Sequence, residues 1–489
     1  MKMKQRSVKI IMLASFTAPM ALTCPAVGAS SLSNQLSPSP RSANVYEDTT
    51  FSLTFDSIPK KGSGSIRIYD ADNDQLIDTI NVGTDTDKIG YHKVRTLKTY
   101  SVRIRGKQAH ITPHAKKLQT GKSYYVTVPA SAFTGAKLAG KTFTGIDRNS
   151  DWVISTRSNK PDVNKTTLIV DDNGTQADFR SVQGAINFVR QYHSNTKMEI
   201  FVKAGTYEEP LYIYKQNNLT IRGEGKNKTI ITYKNNNGLN SGTSARALLL
   251  VYGSDMLRLK DLTLKNSTLI SEGGQAETIY FNSSNGRLIA TNSNFISEQD
   301  TLLLKGWTWF YNTMVAGNVD FIWGYPHVSL FENSEIRTLG DSRGKKNGGY
   351  ILQARVPDKA DKGFVFLNSK LTRGKSANGY SVPDRKTYLA RSSGKTSYYD
   401  NIAFINTRMD KHIRTVGWKG SKTPNPSKAD KNAGWREYNS KDLSGNRLNV
   451  SSRLSNAYQM TSNDVNNGYK NRQQIFEDYN NGSGWNPQN

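Results

Sequence analysis

Two aspartates and two glutamines stand at intervals that could assemble a site for cleaving esters or glycosides. Gln275, the pair Gln299–Asp300, and Asp320 follow one another at 24 or 25 and then 20 residues. In a chain wound into coils of that length, residues one coil apart share a column, with backbones about 4.8 Å apart. Asp300 and Asp320 would then present carboxylates from neighbouring rungs. Like charges at that range push their pKa values apart, so one carboxyl can ionise while the other keeps its proton. An ionised nucleophile beside a protonated acid is what ester or glycoside cleavage needs. The amides of Gln275 and Gln299 could donate to a developing oxyanion. The spacing by itself also fits two surface aspartates without a role.

The elements that must position these groups repeat. Apolar, β-rich segments recur with an Asn-Ser or Asn-Thr pair in each, at Asn266, Asn292, Asn312, Asn333, Asn368 and Asn406. Successive Asn residues are 26, 20, 21, 35 and 38 apart, a unit of twenty-odd residues with larger values where loops are inserted. The segments Met256–Leu264, Val328–Phe331 and Phe364–Leu367 are strand-like and lack helical periodicity. A solenoid of strands is a parallel β-helix. Asn tolerates the left-handed backbone of a tight turn, and its amide can ladder with the Asn of the next coil. One helix is expected over Ser181–Arg190, where apolar residues at 182, 185, 186, 188 and 189 would cap the open end of the solenoid.

Composition bounds the rest. The chain has 489 residues and one Cys, which excludes a disulfide scaffold and a Cys-based zinc site. A hydrophobic content of 36% and an aromatic content of 10% are too high for a wholly disordered chain. Lys2, Lys4, Arg6 and Lys9, an apolar stretch from Ile10 to about Leu22, and Val27-Gly28-Ala29 read as a secretory signal peptide over residues 1–29. Its removal takes four positive charges from the +26 of the whole chain, leaving +22, and takes away Cys24. A rival reading makes Cys24 a lipidated first residue, but Ala21-Leu22-Thr23 fits a lipoprotein box poorly. No apolar run is long enough to span a membrane in the mature chain. The positive charge suits a polyanionic partner, although surface lysines also serve solubility. Export and the lack of a helix-turn-helix or Cys/His finger pattern tell against nucleic acid.

Residues 30–44, rich in Ser, Pro and Asn, read as a linker. Residues 45–158 show alternating segments such as Phe51–Phe55, Ser65–Asp70, Ser101–Arg105 and Ser123–Pro129, which suits a small sandwich of about seven antiparallel strands. Lys117–Phe133 and Trp152–Arg157 resemble bacterial Ig-like domains of exported enzymes, a likeness that implies a spacer or a wall- or carbohydrate-binding unit. A second linker is expected at 159–166, and the solenoid occupies 167–489.

The solenoid also carries a run of ordered motifs. Ala177–Ile186, Ile200–Tyr207 and Asn218–Ile231 come first. Gly274-Gln-Ala276, Glu298-Gln-Asp-Thr-Leu302, Val319-Asp-Phe-Ile-Trp-Gly324 and Tyr388-Leu-Ala-Arg391 follow. Met409–Ile413, Gly417-Trp418, Glu437–Asn439 and Trp485-Asn-Pro487 complete the series. In order and spacing, residues from about Thr167 to Pro487 resemble the pectin methylesterases, the pectinesterase family of carbohydrate esterases. The resemblance implies a right-handed parallel β-helix, a secreted or periplasmic monomer, and de-esterification of methylated galacturonan with release of methanol. The expected partner is that acidic polysaccharide, and no cofactor or metal is implied. Asp320 resembles the nucleophile, and Asp300 the acid that protonates departing methanol and then serves as base. Gln275 and Gln299 resemble the oxyanion donors, and Arg391 the arginine that orients Asp320. A guanidinium can hold a carboxylate through two bonds and keep it ionised.

Departures from the family fall around the substrate. The family usually has Leu-Gly-Arg-Pro-Trp where this chain has Leu389-Ala-Arg-Ser-Ser393, so a cleft Trp is missing at Ser393. Residue 298 is Glu where Tyr is usual, and Trp323 stands in place of Phe. Trp323, Trp418 and Trp307 are the candidates for stacking on sugar, with coil packing as the other reading of these side chains. Substrate identity is therefore less fixed than reaction class. An ester other than methylated galacturonan, a thioester, or polysaccharide binding without catalysis stay open. A lyase or glycosidase on the same polymer is disfavoured by the Gln-Asp-Asp-Arg set. Gly340-Asp-Ser-Arg-Gly344 fits the nucleophile-elbow pattern but lies in a polar, basic loop with no helical pattern after it. The six His residues are scattered without metal-ligand spacing, and His412 reads as structural.

Overall fold

The computed structural model describes residues 32–148 and 152–488. The signal segment 1–29, with Cys24, lies outside the described residues. The N-terminal unit is built from two β-sheets over one apolar core. The first orders Leu36–Ser37, Phe51–Thr54, Gln108–Ile111 and Val102–Arg105, all antiparallel. The second runs through Ser42–Val45, Val153–Thr156, Ser123–Pro129, Ser65–Asp70 and Leu76–Asn81. Alternation places Ile66, Ile68, Tyr124 and Val126 inward, where they meet Phe51 and Trp152. Two short strands fall within the segment expected to be a linker at 30–44. Leu36 is buried, Ser42–Val45 pairs with Val153–Thr156, and Trp152 donates its indole N–H to the Pro38 carbonyl at 2.9 Å. Their polar composition hides them, because such short edge strands are held by backbone pairing rather than by an apolar face.

The rest of the chain is a parallel β-helix. A sixteen-stranded sheet and a nine-stranded sheet run its length, and their strands pair in parallel from coil to coil. Leu168, Ile200, Ile221 and Leu259 form one apolar column inside. Phe310, Phe331, Phe366 and Phe404 stack ring on ring at 4.8, 4.9 and 4.5 Å. Identical side chains in register on parallel coils gain stacking as well as burial. The turn residues Asn292, Asn312, Asn333, Asn368 and Asn406 are all left-handed, as expected. Asn406 donates to Asn368 at 3.2 Å and accepts from Asn439 at 2.9 Å. Asn266 breaks the expected pattern. It ends the strand Thr263–Asn266 and donates inward to the Asn235 and Glu277 carbonyls, while Asp261 takes the turn position and accepts from Asn292.

The open end is capped by α1 (Val182–Tyr192), which buries Val182, Ala185, Ile186, Phe188 and Val189 and is N-capped by Ser181. The N-terminal unit completes this cap. Asp48 accepts from the N–H groups of Arg180 and Ser181, and Glu209 accepts from those of Val182 and Gln183. Two carboxylates from distant parts of the chain thus satisfy donors that the first turn of a helix leaves unpaired. A Cβ on Gly184 would stand 2.5 Å from the Asp48 carboxylate, so only glycine admits this contact. We expect Asp48→Ala to lower the unfolding free energy by about 2 kcal/mol, the scale of a lost cap that leaves buried donors unmet. A fall in the urea midpoint at unchanged slope would verify it.

A hairpin of the N-terminal unit, Asp85–Ile89 and Arg95–Thr99, lies along the solenoid. Arg95 is buried and donates to the carbonyls of Leu211 (3.1 Å), Ala245 (3.0 Å) and Ala247 (2.5 Å). Ile89 and Leu97 join Tyr212, Leu250, Tyr280, Leu303 and Trp323 in one apolar cluster on the outer face of the larger sheet. That face also carries the candidate site.

Candidate active site

Asp300 and Asp320 occupy the same column. Leu302 pairs with Ile322, and two residues back the register sets Asp300 beside Asp320. The Asp300 N–H donates to the Val319 carbonyl at 3.2 Å, which ties the two rungs together. Both residues are left-handed, with φ of 62° and 46°. Asp tolerates this conformation better than most residues. Both side chains are largely buried.

The column holds a third carboxylate that spacing did not single out. Ile279 pairs with Leu302, so the residue one rung before Asp300 is Glu277, and Gln275 lies two positions earlier in the chain. Glu277 is fully buried against Arg246. Its separation of 23 residues from Asp300 falls within the coil period and was the available signal. Arg246 closes the short helix Thr243–Arg246, where no period of the sequence places its side chain.

Arg391 reaches Asp320 from two coils further on. Its Nε lies 2.9 and 3.1 Å from the two carboxylate oxygens, and its Nη2 also donates to Oδ2. The guanidinium lies over the Tyr350 ring at 4.6 Å, which adds a second hold on it. Burial raises the Asp320 carboxyl above its ordinary value, while the bonds and charge of Arg391 pull it down. Asp300 has no bidentate partner. Burial pushes it well above the usual carboxylate range, the charges of Glu277 and Asp320 push it further, and Arg246 and Arg391 oppose them. The more strongly raised group is fitted to hold a proton, and the arginine-bound group to attack. Gln275 and Gln299 flank this pair and are partly exposed, with their backbones on adjacent rungs.

All three candidate tryptophans are buried, Trp323 in the cluster that the N-terminal hairpin covers. Trp323 lies on the same outer face, in register with Leu303 and Gln353, and Arg355 stands 5.0 Å over its ring. Trp418 is not available to a sugar: it is fully buried and stacks on Trp435 at 5.2 Å at the end of the internal aromatic column. Trp307 is also displaced from the expected role. It stacks on His327 at 5.2 Å and meets Tyr479 edge-on, beneath the C-terminal segment that covers another part of the sheet. Both strand faces of a β-helix can be buried, one inside the coil and the other under a covering segment, so tryptophan type alone does not separate core from cleft.

Glu298 explains its own departure from the family. Its carboxylate accepts from the N–H groups of Ile270 (2.7 Å) and Ser342 (2.5 Å), so it fastens two loops to the coil that carries Gln299 and Asp300. Ser342 is therefore a buried turn residue, held also by Asn378 on its carbonyl at 2.9 Å, and the elbow-like motif has no catalytic setting. His412 is buried beside Thr338 at 3.1 Å, and burial pulls its ring down to about 4. At Ser393, where the family has Trp, Lys422 donates to the backbone carbonyl at 3.1 Å.

The pectinesterase family's sequence model matches residues 167–474, more than half of the chain. Pectinesterase 4 of Arabidopsis thaliana is 30% identical over 267 residues, covering 52% of this chain and 42% of its own length. Probable pectinesterase/pectinesterase inhibitor 64 of the same plant is 26% identical over 259 residues, 50% of this chain and 41% of its own. The chain thus spans less than half the length of these relatives. Among solved structures, pectin methylesterase PemA from Erwinia chrysanthemi has a TM-score of 0.53 at 23% identity, over 66% of this chain and 98% of its own. Pectin methylesterase from carrot has a TM-score of 0.51 at 21% identity, over 65% and 93%. The structural likeness agrees with the parallel β-helix fold. From the match to residues 167–474, the chain belongs to the pectinesterase family.

Proposed function

We propose that this chain is a carboxylic ester hydrolase that removes methyl groups from esterified galacturonan, with Asp320 as nucleophile and Asp300 as acid and base. The observation that carries the reading is a bidentate Arg391–Asp320 pair one rung from Asp300, a buried carboxyl whose pKa burial and like charge raise. A carboxylate oxygen of Asp320 attacks the ester carbonyl, and the amides of Gln275 and Gln299 receive the oxyanion. As the tetrahedral centre collapses, the bond to methoxide breaks and Asp300 gives it a proton, releasing methanol and leaving an acyl anhydride on Asp320. Asp300, now ionised, takes a proton from water, which attacks the anhydride and restores the Asp320 carboxylate. The product is a free uronate.

Cations near the site support a polyanionic substrate. Lys305 lies over Tyr280 (5.9 Å) and Tyr325 (5.8 Å), and Arg414 and Lys419 lie over Tyr388 at 4.5 and 5.2 Å. Cations beside flat rings suit a sugar chain that bears carboxylates. The same reading makes the protein an exported monomer whose N-terminal sandwich is Ig-like. Among the described residues no helix is long and apolar enough to cross a membrane. The test is methanol release from highly methylated pectin, with unesterified polygalacturonate as the blank. Methanol in step with new carboxylate is expected. No methanol from folded protein would overturn the pectin reading.

Ser393 favours a second reading, an ester other than methylated galacturonan. The family's stacking residue is absent there, and Lys422 reaches the loop instead. Faster turnover of a different uronate ester than of methyl pectin would select it.

A further inference from the structure

Arg246 uses its whole fork on the site. Its Nε and Nη2 bind the Glu277 carboxylate at 2.7 to 3.0 Å. Its Nη2 also reaches Asp300 Oδ2 at 3.2 Å, and its Nη1 donates to Gln275 Oε1 at 2.7 Å and Asn237 Oδ1 at 3.2 Å. Arg246 is 5% exposed and Glu277 0%, so neither charge is screened by water. An arginine only donates, so it settles which end of the Gln275 amide faces it. The oxygen is bound, and the NH2 group is left for an acceptor on the substrate. The backbone that carries Arg246 is itself held. Arg95 of the N-terminal hairpin and Asn235 both donate to the carbonyls of Ala245 and Ala247 on either side of it.

We propose that Arg246, clamped by Glu277, is a positioning residue that aims the Gln275 amide at the oxyanion and fixes the acid Asp300 in the column. The proposal rests on the esterase reading of the Asp300–Asp320 pair. It gives Glu277 a role beside Arg246: an unpaired buried guanidinium would be held less firmly, and the negative charge of Glu277 helps Asp300 keep its proton. The charged groups facing Asp300 are Glu277 and Arg246 on the N-terminal side, and Asp320 and Arg391 on the other.

The test uses the full-length protein with Arg246→Gln, Glu277→Gln and Gln275→Ala. Arg246→Gln should lower kcat about 100-fold with KM nearly unchanged, the scale of a lost oxyanion donor or supporting contact. Its effect should overlap with that of Gln275→Ala, so that the double variant costs far less than the two combined. Glu277→Gln, nearly isosteric, should move the alkaline limb of the kcat profile to lower pH by about one unit, because Asp300 loses a neighbouring negative charge. That shift reports the charge of Glu277 on Asp300, whereas a merely structural Arg246 would give effects that add to those of Gln275→Ala. Folded variants with wild-type kcat and an unmoved pH profile would overturn the proposal while wild-type methanol release keeps the esterase reading intact. An inactive wild type would overturn both. Should Arg246→Gln fail to fold, Arg246→Lys, which keeps the charge and loses the fork, takes its place in the same cycle with Gln275→Ala, and additive effects there would overturn the proposal.

Discussion

Asp320→Asn should abolish turnover, with kcat down by at least about 10⁴-fold, while the chain stays folded and still binds the polymer. The amide keeps the shape of the carboxylate and can still accept from Arg391. It cannot attack a carbonyl or leave as a carboxylate from an anhydride. The two amides and the neighbouring cations remain, so polymer affinity should fall little. The measurement is single-turnover methanol release together with binding to partly esterified galacturonan. A residual rate within a hundredfold of wild type would remove Asp320 from the role of nucleophile.

Asp300→Asn should lower kcat by about 10³-fold, within the range of a general acid and base, and should change the shape of the pH profile. In the proposed mechanism, activity needs Asp320 ionised and Asp300 protonated. The rate therefore rises as Asp320 loses its proton and falls as Asp300 loses its own. Both carboxyls are raised by burial, and Asp300 more strongly, so both limbs lie above the ordinary aspartate range of 3.8, with the Asp300 limb at the higher pH. The two groups interact, so the limbs report the pair rather than either residue alone. In Asp300→Asn the descending limb should vanish and the ascending one persist. A full bell in that variant would assign the acid to another group.

How much of this was legible in the sequence depended on whether a residue's position follows a period. Coil spacing was sufficient to put Asp300 and Asp320 together, because consecutive rungs with short turns keep their length. It placed the left-handed Asn turns from Asn292 onward for the same reason. It failed at Asn266, where a longer coil shifts the register by five residues to Asp261. It also passed over Glu277, a lone charge in the apolar run Ala276–Phe281 whose partner sits in an irregular turn. The family resemblance supplied Arg391, whose distance in sequence from Asp320 no coil count would have bridged. Trp307 and Trp418 misled because large aromatic side chains suit a packed interior as well as a sugar face.

The contacts between the sandwich and the solenoid have a consequence for the order in which the chain assembles. Neighbouring coils pair strands only tens of residues apart, so each rung can form on the one before it with little loop to close. The contacts of Asp48 and Arg95 with the solenoid span 132 and 152 residues. Contacts that distant come late, after the rungs that receive them exist. They then contribute little to the folding transition state and mainly hold the finished molecule shut, so weakening them accelerates unfolding rather than delaying folding. A domain that looks like a removable tether in the sequence thus acts, in time, as the last catch to close.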